Sequence, residues 1–301
     1  MIKFKEISVD DKEYYDNLHE NFSEHGCEYS FGNLYMWGDQ YIAYIDGVAV
    51  IFSHFNGRDT YLFPVGGGDK RAAIDAVMED ASERGVPCVF TGVTHDDRET
   101  LERLYPHRFS FEPQRDFYDY VYSVDDLADL KGKKYHGKKG HYRKFCDAFK
   151  GYTVQLITED NVESVKEMLD LWYAERETSD AYYTFDMEKH ALKRAFDERE
   201  MLGIVGLAVA HEDRVLAFSM GSRMKSDTFD VHFEKALSDV DGAYAAINCE
   251  FAKYIRENYP DVKYLNREDD MGIEGLRRAK ESYKPHHMVE KLMARLQEGG
   301  V

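Results

Sequence analysis

The chain has 301 residues with 57 acidic and 39 basic side chains, which gives a net charge of −18. This length allows one large domain or two smaller domains with a substantial hydrophobic core. The acidic balance disfavours general binding to DNA or to anionic membranes, so an anion site must come from a local basic surface.

The first half contains a predicted hairpin, three further strands and two helices. Asp46-Gly47 lies between two short apolar runs and favours a type I′ turn. A glycine loop, Gly66-Gly67-Gly68, follows the third strand and leads into a helix. The other elements follow from hydrophobic periodicity. The predicted strands are 41–45, 48–54, 60–65, 87–93 and 117–122, and the predicted helices are 69–84 and 96–104.

The basic stretch between the halves, residues 131–144, contains seven Lys or Arg residues and no acid. In an acidic protein such a stretch would attract phosphate-bearing ligands. Tyr135, His136 and Tyr142 lie between the charges and could stack on exposed bases. The glycines of this stretch also fit a solvated linker, so both interpretations stay open. The residues predicted to bind phosphate or substrate are Lys133, Lys134, Lys138, Lys139 and Arg143.

The second half repeats the order of elements found in the first. Asp213 lies 167 residues after Asp46, and Val262 lies 176 residues after Val86. Sequence identity between the halves is negligible, so the comparison depends on element order. Repetition of this kind predicts a duplicated domain. The predicted strands are 207–211, 215–223, 228–235, 262–265 and 288–296, and the predicted helices are 242–258 and 273–283.

Residues 264–285 place polar groups where a strand gives way to a helix. Asn266 ends a short apolar strand, and Glu268 and Asp269 follow it. Apolar side chains at helical spacing continue up to Pro285. The acids either cap the helix and complement its dipole, or they bind a ligand at the strand end. The candidate catalytic residues are Asn266, Glu268, Asp269, Lys280 and Tyr283.

The four cysteines are scattered and form no C-x-x-C pair. This pattern indicates reduced thiols and predicts neither a disulfide framework nor a metal site. The start has no apolar core of signal-peptide length, and the longest apolar run, 202–210, has nine residues. We therefore expect a cytoplasmic protein without an integral membrane segment.

Each half resembles the acetyltransferase fold of the GNAT superfamily, in which two central strands splay apart beside the donor. The resemblance implies an α+β fold of two tandem GNAT-like domains with mixed, mostly antiparallel sheets. It also implies that donor phosphates meet a helix N-terminus, which is a favourable anion site. The matching loop, 238–244, lacks the superfamily's full glycine pattern and carries Asp239 and Asp241, which weakens the case for coenzyme A. The donor-binding residues implied are Lys235, Gly242, Ala243 and Tyr244.

Three segments, 29–37, 130–145 and 266–285, together resemble the soluble C-terminal domain of lysyl-phosphatidylglycerol synthases and its freestanding relatives. Membrane-bound members of that family transfer an aminoacyl group from aminoacyl-tRNA to a lipid hydroxyl. Their transmembrane region is not found in this sequence, which leaves the donor and the acceptor open. Within the first segment, Asn33 and Tyr35 are the positions to test. The predicted organisation is an N-terminal domain 1–130, a basic connecting segment 131–149 and a C-terminal domain 150–301.

The function expected from this resemblance is direct acyl or aminoacyl transfer from a phosphate-containing donor to an amine or hydroxyl. Aminoacyl-tRNA or acyl-CoA would be the donor substrate, and no tightly bound cofactor is expected. Glu268 or Asp269 would bind an ammonium and take its proton, Asn266 would orient the carbonyl, and Tyr283 or Lys280 would protonate the leaving group. Two other hypotheses stay open: a non-catalytic nucleotide- or phosphometabolite-binding module on a degenerate transferase fold, and an acidic partner-binding protein.

Overall fold

The structure, a computed structural model, describes residues 1–19, 25–55, 57–176 and 182–297. Its strands agree in position with most of the predicted ones. They are β1 Lys5–Glu6, β2 Gln40–Ile45, β3 Val48–Phe55, β4 Arg58–Leu62, β5 Val65–Gly66, β6 Val89–Val93, β7 Phe109–Pro113, β8 Asp119–Ser123, β9 Thr153–Leu156, β10 Val205–His211, β11 Arg214–Lys225, β12 Thr228–Ala236, β13 Tyr264–Asn266, β14 His287–Val289 and β15 Leu292–Leu296.

Helix α3 begins and ends at residues with ordinary capping chemistry. In α3 the Asp69 side chain accepts backbone hydrogen bonds from the first turn, and Gly85 ends the helix at a φ of 70°. Among the described helices, none has both the length and the apolar composition needed to span a membrane. The helices are α1 Lys12–His19, α2 Phe31–Met36, α3 Lys70–Arg84, α4 His95–Leu104, α5 Val124–Asp129, α6 His136–Ala148, α7 Val162–Ala174, α8 Tyr182–Asp197, α9 Arg199–Leu202, α10 Ala243–Asn258 and α11 Glu274–Ser282.

The chain forms two compact units, and neither is a continuous segment. Unit 1 comprises Met1–Asp119, Asp269–Ile273 and Met288–Val301, and unit 2 comprises Tyr120–Glu268 and Glu274–His287. These units do not coincide with the predicted segments 1–130 and 150–301. The basic segment predicted at 131–149 lies within unit 2, where most of it forms α6.

Unit 1 contains a sheet with the strand order β1-β2-β3-β4-β6-β15-β7, to which β5 adds beside β3. The predicted hairpin is confirmed, because β2 and β3 pair across Asp46 and Gly47, whose φ angles are 46° and 76°. The central strands β4 and β6 are parallel, and their register pairs are Tyr61–Phe90 and Leu62–Thr91. Helix α3 contributes to the buried hydrophobic core of this unit.

The second sheet has the order β14-β8-β13-β12-β11-β10-β9, and its strands β9 to β13 lie in unit 2. Its parallel strands β12 and β13 pair from Thr228–Tyr264 to Asp230–Asn266. Strand β12 then continues to Ala236 without β13 beside it, so the two strands separate after Asp230. Both sheets are mixed and mostly antiparallel, as predicted, and each has one short parallel contact at its centre.

The closing strands are the main difference from the predicted topology. The sequence places the strand predicted at 117–122 in the first half, but β8 pairs with β13 in the second sheet. It places the strand predicted at 288–296 in the second half, but this segment divides into β14 and β15, and β15 pairs with β6 and β7 in the first sheet. Alternating side chains predict that a segment is a strand, but its partner depends on packing between distant segments.

Candidate active site

The predicted catalytic residues lie at the end of β13 and on α11. Asn266 is buried at the last position of β13, and its Oδ1 accepts a 2.8 Å hydrogen bond from the backbone N–H of Glu268. This bond accompanies a left-handed backbone at Glu268, whose φ is 57°. Glu268 is the last residue of the first segment of unit 2, whereas Asp269 belongs to unit 1. Asn266 therefore holds the turn that positions Glu268.

Helix α11 brings two more predicted residues to unit 2. Lys280 is 8% exposed, and its ammonium donates a 2.5 Å hydrogen bond to the carbonyl oxygen of Arg267. Just after the helix, Tyr283 is buried with its ring 6.4 Å from that of Tyr122. Burial raises the pKa of Tyr283, so its hydroxyl stays protonated at neutral pH and can act as a hydrogen-bond donor.

Arg267 is a functional candidate that the sequence interpretation overlooked. Its guanidinium donates a 2.7 Å hydrogen bond to Glu234, and it lies 4.8 Å from the centre of the Tyr283 ring. The Arg267 side chain is only 12% exposed, and its Nη1 is buried with no hydrogen-bond partner among the described atoms. A buried guanidinium nitrogen without a partner is costly, and it is a ready donor for a ligand oxygen. The sequence feature that points to Arg267 is its position between the two candidate residues Asn266 and Glu268.

A second hydrogen bond holds Glu234, the carboxylate that pairs with Arg267, in place. Glu234 lies on β12, beyond the point where that strand separates from β13. Its carboxylate also accepts a 3.3 Å hydrogen bond from the Asn248 amide on α10. Glu234 is thereby held from two sides, and it orients the Arg267 guanidinium.

The basic segment forms a helix within unit 2. Lys134 pairs with Asp126 at 2.8 Å, and the Lys138 ammonium lies 4.0 Å from the centre of the Tyr283 ring. Burial, and then the positive charge of Arg267, lower the pKa of Lys138 to about 8. Lys138 is therefore placed beside the predicted catalytic Tyr283.

Two other members of the basic set line a cavity of about 240 Å³. Lys139 and Arg143 are four residues apart on α6 and share this cavity with Lys253. Among the described residues, none is an acidic partner of Lys133, Lys139 or Arg143. These side chains keep their positive charge available to an anion.

The residues predicted for donor binding are engaged with their own unit. Lys235 pairs with Glu188 at 2.7 Å and lies 4.1 Å from the centre of the Trp172 ring. The Tyr244 hydroxyl accepts a 3.1 Å hydrogen bond from Trp172 Nε1. Ala243 is buried at the start of α10. Contacts within unit 2 account for the placement of Lys235 and Tyr244. Phosphate binding by this set of residues stays a prediction.

Gly242, at the N-terminus of α10, is required by packing. Its φ is 84°, and an added Cβ would lie 2.3 Å from the backbone oxygen of His141 on α6. Only glycine permits this approach of the two helices. The nearby acid Asp241 faces His141 at 3.4 Å and Lys144 at 3.7 Å. The glycine that suggested a phosphate loop thus has a structural explanation within unit 2.

Two groups of side chains within the described ranges have the composition of a metal site. In unit 1, Cys27, Asp119 and Asp269 lie together, but Lys291 donates to Asp119 at 2.6 Å and to Glu28 at 2.5 Å. This ammonium already supplies a positive charge beside these ligands. The other group, Asp230, His232 and Glu268, lies in unit 2. Metal binding was not predicted, and neither group alone establishes it.

The N-terminal candidates also lie in unit 1. Asn33 is buried in the short helix α2, where its side chain donates to the Cys27 carbonyl and accepts from Trp37 Nε1 at 3.1 Å. These bonds give Asn33 a role in holding the local turn. Tyr35 lies on the same helix and is not fully buried. A functional role for either residue remains a prediction.

The fold is similar to several solved structures. A conserved protein of unknown function from Bacteroides thetaiotaomicron VPI-5482 is 36% identical with a TM-score of 0.92, covering 99% of this chain and 100% of that chain. L-PGS from Bacillus licheniformis is 15% identical with a TM-score of 0.70, covering 99% and 94%. A tandem GNAT protein from the clavulanic acid biosynthesis pathway is 12% identical with a TM-score of 0.50 over both whole chains. No curated protein matches the chain.

These similarities, together with the separating central strands of the second sheet, define the class as a tandem GNAT-like fold, which confirms the predicted fold. The family model described as phosphatidylglycerol lysyltransferase, C-terminal, matches residues 19–295. The chain belongs to this family, and the predicted family resemblance is confirmed.

Proposed function

We propose that this chain transfers an aminoacyl group from aminoacyl-tRNA directly to an amine or hydroxyl acceptor at the separating strands of unit 2. The observation that carries the proposal is buried Arg267, with Nη1 unpartnered among the described atoms and the guanidinium beside Tyr283. Membership of a lysyltransferase family supports aminoacyl transfer over acetyl transfer. The packed glycine and the acids at the start of α10 also favour a donor other than coenzyme A.

Each step uses a residue of unit 2. The acceptor heteroatom attacks the ester carbonyl, and Arg267 Nη1 donates to the carbonyl oxygen as negative charge develops there. Glu268 takes the acceptor proton. The bond to the ribose oxygen then breaks, and the Tyr283 hydroxyl protonates that oxygen before regaining a proton from solvent. Asn266 and Lys280 position the turn and the helix that carry these groups.

The basic segment 131–144 supplies the contact with the donor. Lys133, Lys139 and Arg143 have no acidic partner among the described residues, and they are positive against an acidic background. The phosphate backbone of tRNA would bind along this segment. Lys138, beside Tyr283, would connect this surface to the reacting ester.

The test is a transfer assay with lysyl-tRNA labelled in the lysyl group. Phosphatidylglycerol vesicles, indicated by the family name, and a panel of small primary amines serve as acceptors. We expect Arg267→Lys to lower the turnover rate by about 10²–10³-fold, because a lysine cannot keep the Glu234 pair and present a second nitrogen. Arg278→Lys on α11, whose partner Glu274 is exposed, is the matched control and should retain activity.

The acid cluster gives a second test of the same proposal. Glu268→Gln should abolish transfer and leave the unfolding midpoint little changed, because an amide keeps the shape but cannot take a proton. Normal turnover in Glu268→Gln would leave this segment with a helix-capping role only. Tight tRNA binding without any transfer would favour the alternative of a non-catalytic binding module.

Charge reversal of Lys133, Lys134, Lys138 and Lys139 tests the donor surface. We expect weaker binding of tRNA and a shallower dependence of its affinity on salt, by roughly 0.7–0.9 in logarithmic slope for each phosphate that the variant no longer neutralises. Lys193→Glu on α8, which removes an exposed pair with Asp197, is the control. Parallel salt slopes for wild type and the fourfold variant would contradict phosphate binding by the basic segment 131–144.

A further inference from the structure

A buried histidine lies behind Glu268. His232 on β12 has its Nε2 2.8 Å from the Oγ of Ser222 on the neighbouring strand β11. On the other side of the ring, Nδ1 lies 3.4 Å from an oxygen of Asp230 and 3.5 Å from an oxygen of Glu268. All four residues belong to unit 2. They form a continuous series from a serine hydroxyl through an imidazole to two carboxylates.

Solvent exposure is greatest at the Glu268 end of this series. The His232 and Asp230 side chains are fully buried, whereas the Glu268 side chain is 20% exposed. Ser222 is 4% exposed and lies within the sheet, so it is poorly placed to act as a nucleophile although the order of groups resembles a Ser-His-acid triad. Glu268 is the member of the series that has access to an acceptor.

The contacts of the imidazole leave one nitrogen without an ordinary partner. Ser222 fixes the ring through Nε2. Nδ1 is buried and has no hydrogen-bond partner among the described atoms, because both carboxylate oxygens lie beyond the usual 2.7–3.2 Å. A buried nitrogen in this position can receive a proton when a small movement brings a carboxyl group to it.

We infer that His232, held by Ser222, positions Glu268 and takes up the proton that Glu268 removes from the acceptor. This inference rests on the proposed function and adds a proton path behind its base. The acceptor O–H or N–H proton moves to the Glu268 carboxylate and then to His232 Nδ1, where Asp230 and Glu268 both offset the positive charge. After the ester bond breaks, the proton returns through Glu268 to solvent, so protons balance over one turnover.

The kinetic test uses His232→Gln, whose amide preserves polar contacts but cannot accept a proton. We expect kcat to fall by about 10–10²-fold with KM changed less than about twofold, and the rise of kcat with pH to change its midpoint. Ser222→Ala should give a smaller loss of kcat, because the ring keeps its basicity but loses its orientation. His211→Gln, on the edge of β10, is the control and should match wild type. An unchanged kcat and pH profile in His232→Gln would overturn the inference.

A measurement without substrate separates this inference from the proposed function. The C–H signal of His232, assigned by its loss in His232→Gln, is followed by NMR against pH in the free protein. We expect the pH dependence of this signal to differ between wild type and Glu268→Gln, because the charge of a neighbouring carboxylate is removed. The same pH dependence in the two proteins refutes the coupling, whether or not transfer is detected. If this coupling is found and lysyl transfer is absent, the proposed function fails and the coupling between these groups stands.

A zinc titration separates a proton path from a metal site. The ligand atoms of Asp230, His232 and Glu268 lie within 4.8 Å of one another, which also suits a divalent ion. Zinc is titrated into metal-free wild type and His232→Gln by calorimetry. We expect no stoichiometric binding that depends on His232. One tightly bound zinc per chain, lost in His232→Gln, would overturn the proton path.

Discussion

The buried ion group of unit 1 gives a sharp stability prediction. The Lys291 side chain is 4% exposed, and its ammonium contacts fully buried Asp119 at 2.6 Å and partly buried Glu28 at 2.5 Å. Burial favours the neutral amine, but Asp119, Cys27 and Glu28 nevertheless raise the pKa of Lys291. Lys291→Met keeps much of the side-chain volume but leaves two carboxylates near one another without their cation.

The expected loss is large because the remaining charges stay buried. Removing one partner of a buried ion pair costs about 3–5 kcal/mol, whereas an exposed pair contributes about 0–1 kcal/mol. Lys131→Met is therefore the matched control, since the Lys131 side chain is 78% exposed and pairs with Asp129. We expect Lys291→Met to lower the free energy of unfolding by several kcal/mol and Lys131→Met to lower it by less than about 1 kcal/mol.

The dependence on pH has a defined sign. A raised lysine pKa stabilises the fold throughout the range below its unfolded value, so the wild-type contribution of Lys291 persists from pH 5 to 8 and is lost only when pH rises through the folded pKa. Burial already raises the pKa of Glu28, and loss of Lys291 raises it further. Protonation at pH 5 then relieves part of the repulsion, so the destabilisation by Lys291→Met should be smaller at pH 5 than at pH 7.

Urea unfolding followed by circular dichroism and by tryptophan fluorescence measures these differences, and coincident transitions would support a two-state treatment. A destabilisation by Lys291→Met of less than about 1 kcal/mol at pH 7 would refute the argument. An equal loss at pH 5 and pH 7 would refute the assignment of that loss to unpaired carboxylates.

Three further outcomes are expected. In urea unfolding, Gly242→Ala should destabilise the protein by at least about 1 kcal/mol more than Gly151→Ala. Both glycines have φ near 84°, but only at Gly242 would the new Cβ meet the His141 carbonyl. Equal losses would contradict the packing explanation. Affinity for tRNA should fall as pH rises through about 8, where Lys138 loses its proton, and Lys138→Met should lose this step in a filter-binding titration. Lys138→Met should also leave the fold stable, and a cooperative unfolding transition at the wild-type midpoint checks this.

Local chemistry in the sequence was sufficient for much of the fold. Asp46-Gly47 predicted a hairpin that the structure confirms, because two adjacent residues with positive φ define that turn by themselves. The helix at 69–84 was similarly predictable from periodicity, and it begins after Asp69 and ends at Gly85. The repeated order of elements and the three family-like segments also led to the confirmed tandem GNAT-like fold.

The candidate site was predicted only in part. Asn266, Glu268, Lys280 and Tyr283 lie in one sequence segment, so the strand-to-helix pattern pointed to all of them. Arg267 lies in the same segment, but its importance depends on Glu234, which is 33 residues away and reaches it from another strand. His232 was overlooked for the same reason, since Ser222 and Glu268 approach it from different elements.

The sequence alone therefore determined many of the strands and helices, their repeated order and the family, because turns, caps and periodicity depend on neighbouring residues. The tertiary structure decided which sheet each closing strand joins, which charges are buried and which nitrogen of Arg267 has no hydrogen-bond partner among the described atoms. These features depend on contacts between residues far apart in the chain, such as β15 with β6 and Lys291 with Asp119. Pairing and burial of this kind follow from packing the whole chain, and no local pattern specifies them.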